Sequence, residues 1–216
     1  MPPPPQEHRR PTLPTLRRPT SPSHAVRAPC TLQKLSEELE EWEQTEEQDS
    51  LKAVAAVLGS AKLLRHRDGD VKLLSACCLS DVLRIFAPES PYENETLKMV
   101  FELFISQLRG LQDDEGASFA RYTYLVERLA MVKSFVLMLD LNFDDLVRQL
   151  VEVLLESASE AHPIRVSGYM MSIIVTTLEV SLSPYNALTL NRTPTPTPAP
   201  TLTLTPTPNP TPHYRS

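Results

Sequence analysis

Glycine is scarce in this chain, five among 216 residues, and none is spaced like the loops that cradle phosphates or a dinucleotide. Cysteine is scarcer still. Of Cys30, Cys77 and Cys78, the last two are adjacent inside a predicted helix, where their side chains diverge and cannot close an ordinary disulfide. The five histidines, His8, His24, His66, His162 and His213, are scattered and form no metal-ligand spacing. Asp113, Asp114 and Glu115 read as a solvated loop rather than paired catalytic carboxylates. Together these gaps leave no active site, no metal and no cofactor, so the chain is not expected to be an enzyme. It also lacks a secretory apolar segment near Met1 and any apolar run long enough to span a bilayer, which points to a reducing, intracellular setting and no membrane partner.

Proline is nearly missing from the middle. Of 21 prolines, nine precede Thr31 and eight follow Asn191, leaving four between. The flanks lack the apolar content that offsets ordering entropy. The expected organisation is a disordered basic arm over 1–30, an α-helical region over 31–174 and a Thr/Pro-rich low-complexity tail over 175–216. Charge divides the same way. The arm carries five Arg against one acid, whereas Thr31 to Leu190 carries 14 basic and 26 acidic residues, a net charge of −12. An acidic core argues against a duplex-binding surface, so no direct sequence-specific DNA binding is expected.

What the middle does contain is helical periodicity. Leu32, Leu35, Leu39 and Trp42 share a face, then Val54, Val57, Leu58 and Ala61. The run from Asp70 places Val71, Leu74, Cys78, Val82 and Ile85 on one buried stripe, with both cysteines as core packing. Asn94 is the expected N-cap of a helix carrying Leu97, Val100, Phe101, Phe104, Ile105 and Leu108, ended by Gly110. One long central helix is expected from Ala117, apolar on several faces through Tyr122, Leu125, Leu129, Val132, Phe135, Val136 and Leu139. Asn142 or Asp144 caps the next, and Pro163 opens a last helix through Ile173. Met131, Met138, Met170 and Met171 are expected in the core. The starts DVKLLSACCL and PIRVSGYMMS resemble each other 93 positions apart. Half that offset is about 46, within the period of HEAT-type helical pairs. The fold class is therefore all-α, a HEAT-like helical-pair solenoid, with a plain helical bundle as the alternative.

Pro88 and Pro91 halt the Asp70 helix at APESPY. Proline removes a donor and biases the preceding residue away from helix, so a rigid, extended corner is expected there.

At DGDVKLLSACCLSDVLRIFAPESPY, and again at FISQLRGLQDDEGASFARYTYLVERLAMVKSF, the chain closely resembles the Pds5 family of sister chromatid cohesion proteins. The likeness covers about Thr31 to Ile174. It implies an N-terminal piece of a longer HEAT-repeat scaffold, nuclear and chromatin-associated through cohesin, with cohesin subunits, Wapl and sororin-like factors as partners. The family's APDAP-type motif, which receives a short Wapl segment, falls on Ala87, Pro88, Glu89, Ser90 and Pro91, with Tyr92 beside it. Glu89 keeps the acidic charge, while Ser90 stands where the motif has a small apolar residue. By the resemblance alone, family members also bind an inositol polyphosphate within surfaces extending beyond these repeats. A truncated, functionally incomplete Pds5-like product that only competes for Wapl, or an unrelated HEAT-type scaffold, is the alternative. A solenoid cut after the Pro163 helix is expected to expose Met170 and Ile174.

Overall fold

The computed structural model describes residues 24–44 and 49–181, and every regular element among them is helical. Helix α1 (His24–Glu41) buries Leu32, Leu35 and Leu39. Helix α2 (Asp49–Leu58) and the single turn α3 (Ala61–Leu64) lead to α4 (Gly69–Phe86). Asp68 starts α4: its Oδ1 accepts the N–H groups of Asp70 at 2.9 Å and Val71 at 3.2 Å, two donors that the first turn leaves unpaired. Helix α5 (Asn94–Leu108) runs into a 3-10 turn at Arg109–Gln112. Then come α6 (Phe119–Val132), α7 (Val136–Asp140), α8 (Asp144–Glu156) and α9 (Ile164–Ser181).

Packing arranges these as two layers. In one, α1 lies on α4, α4 on α6 and α6 on α9; in the other, α3 meets α5 and α5 meets α8. Contacts of α4 with α5 and α8 with α9 join the layers. Each pair touches only its neighbours, the signature of a HEAT-like solenoid. The first-layer helices α4, α6 and α9 begin at residues 69, 119 and 164, so the likeness between the Asp70 and Pro163 segments marks helices two repeats apart. Helix α4 is the spine: 14 of its 18 residues are buried, because α1, α5 and α6 cover it on different sides. Phe101 and Phe104 pack edge to face at 6.0 Å within the core, and truncating either should cost about 3–5 kcal/mol. His162 is buried, with Nε2 2.8 Å from the Leu111 carbonyl, tying the entry of α9 to the 3-10 turn.

Several local expectations are corrected. In α2 the buried face is Leu51, Ala55 and Leu58, while Val57 is 46 % exposed and Ala61 lies outside on α3. The helix breaks at Gly59, which changes the face after it. The long central helix is two helices, because Lys133 takes a left-handed conformation (φ 54°) and ends α6. Glu93 and Phe143, rather than Asn94 and Asn142 or Asp144, occupy the cap positions of α5 and α8. Asn142 is itself left-handed (φ 57°), and Asp144 and Asp145 fall in the first turn, where the helix dipole favours them. Gly110 does not end α5 as a cap; it lies in the 3-10 turn, where the Tyr122 ring occupies the space a side chain would need.

Met138 and Met170 are core, but Met131 and Met171 are 65 % and 57 % exposed. The face of α9 turned to its neighbours carries Val166, Met170 and Ile173, so the exposed apolar residues are Ile164, Met171, Val175 and Leu178 rather than Met170, and Ile174 is half-buried. Helix α1 starts within the segment expected to be a flexible arm, and α9 continues through Ser181. The expectations of disorder over 1–23 and 182–216 lie outside the described residues.

Candidate partner-binding site

Pro88 blocks the continuation of α4, and Ala87 takes the extended conformation (φ −54°, ψ 142°) usual before proline. The corner is not an extended connection throughout: the Ala87–Pro88 peptide is cis and the chain turns there before entering α5. Pro88 and Glu89 are exposed, whereas Ala87, Ser90 and Pro91 are half-buried. The turn is pinned from two sides. Gln44 Nε2 donates to the carbonyls of Arg84 at 2.9 Å and Ala87 at 3.3 Å. On the other side, Ser90 Oγ accepts the Tyr92 N–H at 3.2 Å.

Tyr92 was expected beside an exposed acidic surface, and the structure turns it inward. Its ring packs over Gly59, where a methyl group would lie 2.7 Å from Tyr92 Cε1. Its hydroxyl is buried with no hydrogen-bond partner among the described residues, and burial pushes the phenol above its ordinary range. Of the six candidate residues, Pro88 and Glu89 form the accessible tip and Tyr92 anchors it from below.

Beneath the tip lies a polar network that sequence reasoning missed. Arg84 donates to the Leu39 and Trp42 carbonyls, both at 2.7 Å, satisfying acceptors left over at the C-terminus of α1. Its Nε bonds Asp81 Oδ1 at 3.1 Å, and the Tyr124 hydroxyl donates to Asp81 Oδ2 at 2.7 Å. Arg128 adds an ion pair from Nε to Asp81 at 3.6 Å, another from Nη2 to Glu40 at 3.1 Å, and a guanidinium 4.8 Å from the centre of the Tyr124 ring. Asp81 is fully buried; burial pushes its carboxyl upward, against the pull of the Tyr124 hydroxyl and the two guanidinium groups. The network ties α1, α4 and α6 together one turn before the corner. Its only trace in the sequence is an acid within the apolar run LSDVLR, followed three residues later by a base.

Cys77 and Cys78 are buried, their thiols directed at the Arg121 and Leu32 carbonyls at 3.7 and 3.6 Å. Burial pushes the Cys77 thiol up to about 12 and raises Cys78 as well, so both act as small hydrophobes. Among the described residues no helix is long and apolar enough to cross a membrane, and no cluster of three or more His, Cys, Asp or Glu side chains could hold a metal ion. The pocket lined by Arg65, His66 and Lys72 also carries Glu102, over a floor of Leu64 and Leu103.

The family described as sister chromatid cohesion protein PDS5 matches residues 30–185 of this chain, a span that takes in the corner and most of the described helices. The chain belongs to the Pds5 family. It is 40 % identical over 146 residues to the sister chromatid cohesion protein PDS5 homolog A of Arabidopsis thaliana, covering 66 % of this chain. To the PDS5 homolog B-B of Xenopus laevis it is 37 % identical over 131 residues, covering 60 %. This chain spans 9 % of the length of each of those two proteins. A chain from the solved structure of a Pds5–Scc1 complex superposes with a TM-score of 0.59 at 32 % identity, covering 68 % of this chain and 22 % of that one. The paired helices described above are thus the Pds5 solenoid architecture.

Proposed function

We propose that the helical repeats over 31–174 are a docking platform for cohesin regulation on nuclear chromatin, and that the corner at Ala87 to Tyr92 receives a short segment of a regulator such as Wapl. The observation that carries this reading is the exposed Pro88–Glu89 tip, held in place by Gln44 from one side and seated on the Tyr92–Gly59 contact and the Asp81–Arg84 network below. A tip fixed before binding loses little conformational freedom when a peptide arrives. The exposed Glu89 carboxylate complements a basic side chain, and a charge-assisted hydrogen bond there would orient the ligand. The likeness to a chain of a Pds5–Scc1 complex supports cohesin subunits as the wider partner class; sororin-like factors belong to the same proposed set of partners.

The test is titration of a fluorescent Wapl segment against the wild-type chain and Glu89→Lys. Charge reversal should weaken binding by about 1–3 kcal/mol, because it replaces an attraction with a repulsion at an exposed position. Circular dichroism should stay unchanged. Equal affinities would remove Glu89 from the site, and lost helicity would make the corner a helix terminator only.

A further inference from the structure

The basic turn RHRDGD has no part in the corner. After α3, Arg65 and His66 overhang a cleft of about 240 Å³ completed by Lys72 of α4 and by Met99, Glu102, Leu103 and Ser106 of α5. Its floor is apolar, since Leu64 and Leu103 are 5 % and 4 % exposed. Lys62, Arg67 and Lys98, close in sequence to these residues, are exposed. None of Lys62, Arg65, Arg67, Lys72 and Lys98 pairs with a carboxylate among the described residues; the ion pairs there use Arg84, Arg109, Arg128, Arg148 and Arg165. Arg65 instead rests Nη2 on Met99 Sδ at 3.6 Å. Of the two acids in the turn, Asp68 caps α4 through Oδ1 and Asp70 is exposed in the first turn of that helix. Within a region carrying a net −12, Arg65 and Lys72 line this cleft without a described carboxylate partner, and their charge suits something acidic.

We propose that this cleft, bounded by residues 64–72 and α5, binds an acidic peptide segment: an apolar side chain seated on Leu64 and Leu103, flanked by carboxylates or a phosphorylated serine that pair with Arg65 and Lys72. A peptide suits the cleft better than nucleic acid. Its lining has no Phe, Tyr or Trp ring on which successive bases would stack. Arg65 can take a carboxylate or phosphate through two parallel bonds, and the half-buried Lys72 ammonium adds a point charge less screened than one in open water. The site is separate from the Pro88–Glu89 tip and stands whether or not that tip binds Wapl.

The test uses the full chain and a fluorescent nine-residue peptide with one central leucine among four acidic residues, its phosphoserine version, the same peptide with its acids replaced by amides, a duplex DNA and inositol hexakisphosphate. Anisotropy should show binding of the acidic peptides, tighter with phosphoserine, weakening as salt rises and absent for the amide version. Arg65→Glu with Lys72→Glu should weaken it at least tenfold with helicity unchanged. The single variant Arg65→Gln, at an exposed position, should weaken it several-fold and guards against misfolding of the double variant. Failure of both acidic peptides to bind, binding unchanged in the charge variants, or tighter capture of the DNA or inositol hexakisphosphate than of either peptide would overturn the proposal.

Discussion

Gly59→Ala is the sharpest probe of how the corner is seated. The added methyl group would lie 2.7 Å from Tyr92 Cε1, 3.1 Å from Cδ1 and 3.2 Å from Thr96 Cγ2. Carbon pairs attract best at about 3.5 Å or more, so the ring must retreat by about 0.8 Å, and overpacking of this kind costs ~1–3 kcal/mol. Two effects oppose each other. Gly59 does not use a left-handed conformation, so alanine suits its backbone and stabilises by ~0.4–1 kcal/mol through the unfolded chain. The clash wins in the wild type, and a net loss near ~1 kcal/mol should lower Tm by roughly 2–4 °C for a chain of this size. In a Tyr92→Ala background the ring is gone, and the same substitution should become neutral or stabilising. Urea denaturation of the four chains of this cycle measures the coupling. If Gly59→Ala costs the same with and without the ring, Tyr92 does not sit on Gly59 and the account of the corner fails.

Other outcomes follow from the same geometry. Asp81→Ala leaves Arg84 and the Tyr124 hydroxyl without their buried acceptor and should cost roughly 3–5 kcal/mol, with Tyr124→Phe costing less; near-wild-type urea midpoints would contradict the network. Native Cys77 and Cys78 should resist alkylation at neutral pH while exposed Cys30 reacts, and mass spectrometry of the labelled chain reads this directly. Because burial raises the Cys77 thiol from 9.0 to about 12, its contribution to stability is complete below about pH 9 and is lost as pH climbs towards 12; Cys77→Ala should flatten that alkaline decline in urea midpoints. Finally, Val175→Lys with Leu178→Lys on the exposed face of α9 should reduce hydrophobic-dye binding and self-association, and unchanged light scattering would show that this face is covered.

Residue pattern made the fold class and most helices legible because burial of an apolar stripe is a local, periodic property. Leu97 to Leu108 and Val71 to Ile85 could be assigned without coordinates, and so could the proline corner, since proline acts through its own covalent structure. The break at Lys133 left no mark, because neither glycine nor proline accompanies it and the left-handed residue is held by surrounding packing. Met131 and Met171 were misplaced for a related reason: hydrophobicity shows that a face is wanted inside, but only the neighbouring helices decide which of two apolar faces wins.

The candidate site divides along the same line. Sequence alone determined that Pro88, Glu89 and Pro91 form a corner after a buried helix, because chain stiffness and helix termination depend on adjacent residues. Tertiary structure alone decided that Tyr92 faces inward onto Gly59, that Gln44 reaches from 43 positions away to the Ala87 carbonyl, and that Asp81, Arg84, Tyr124 and Arg128 meet beneath the tip. Apart from Asp81–Arg84, three positions apart, those contacts join residues 33 to 47 positions apart, and no local periodicity encodes a distance that only the stacking of α1, α4 and α6 creates.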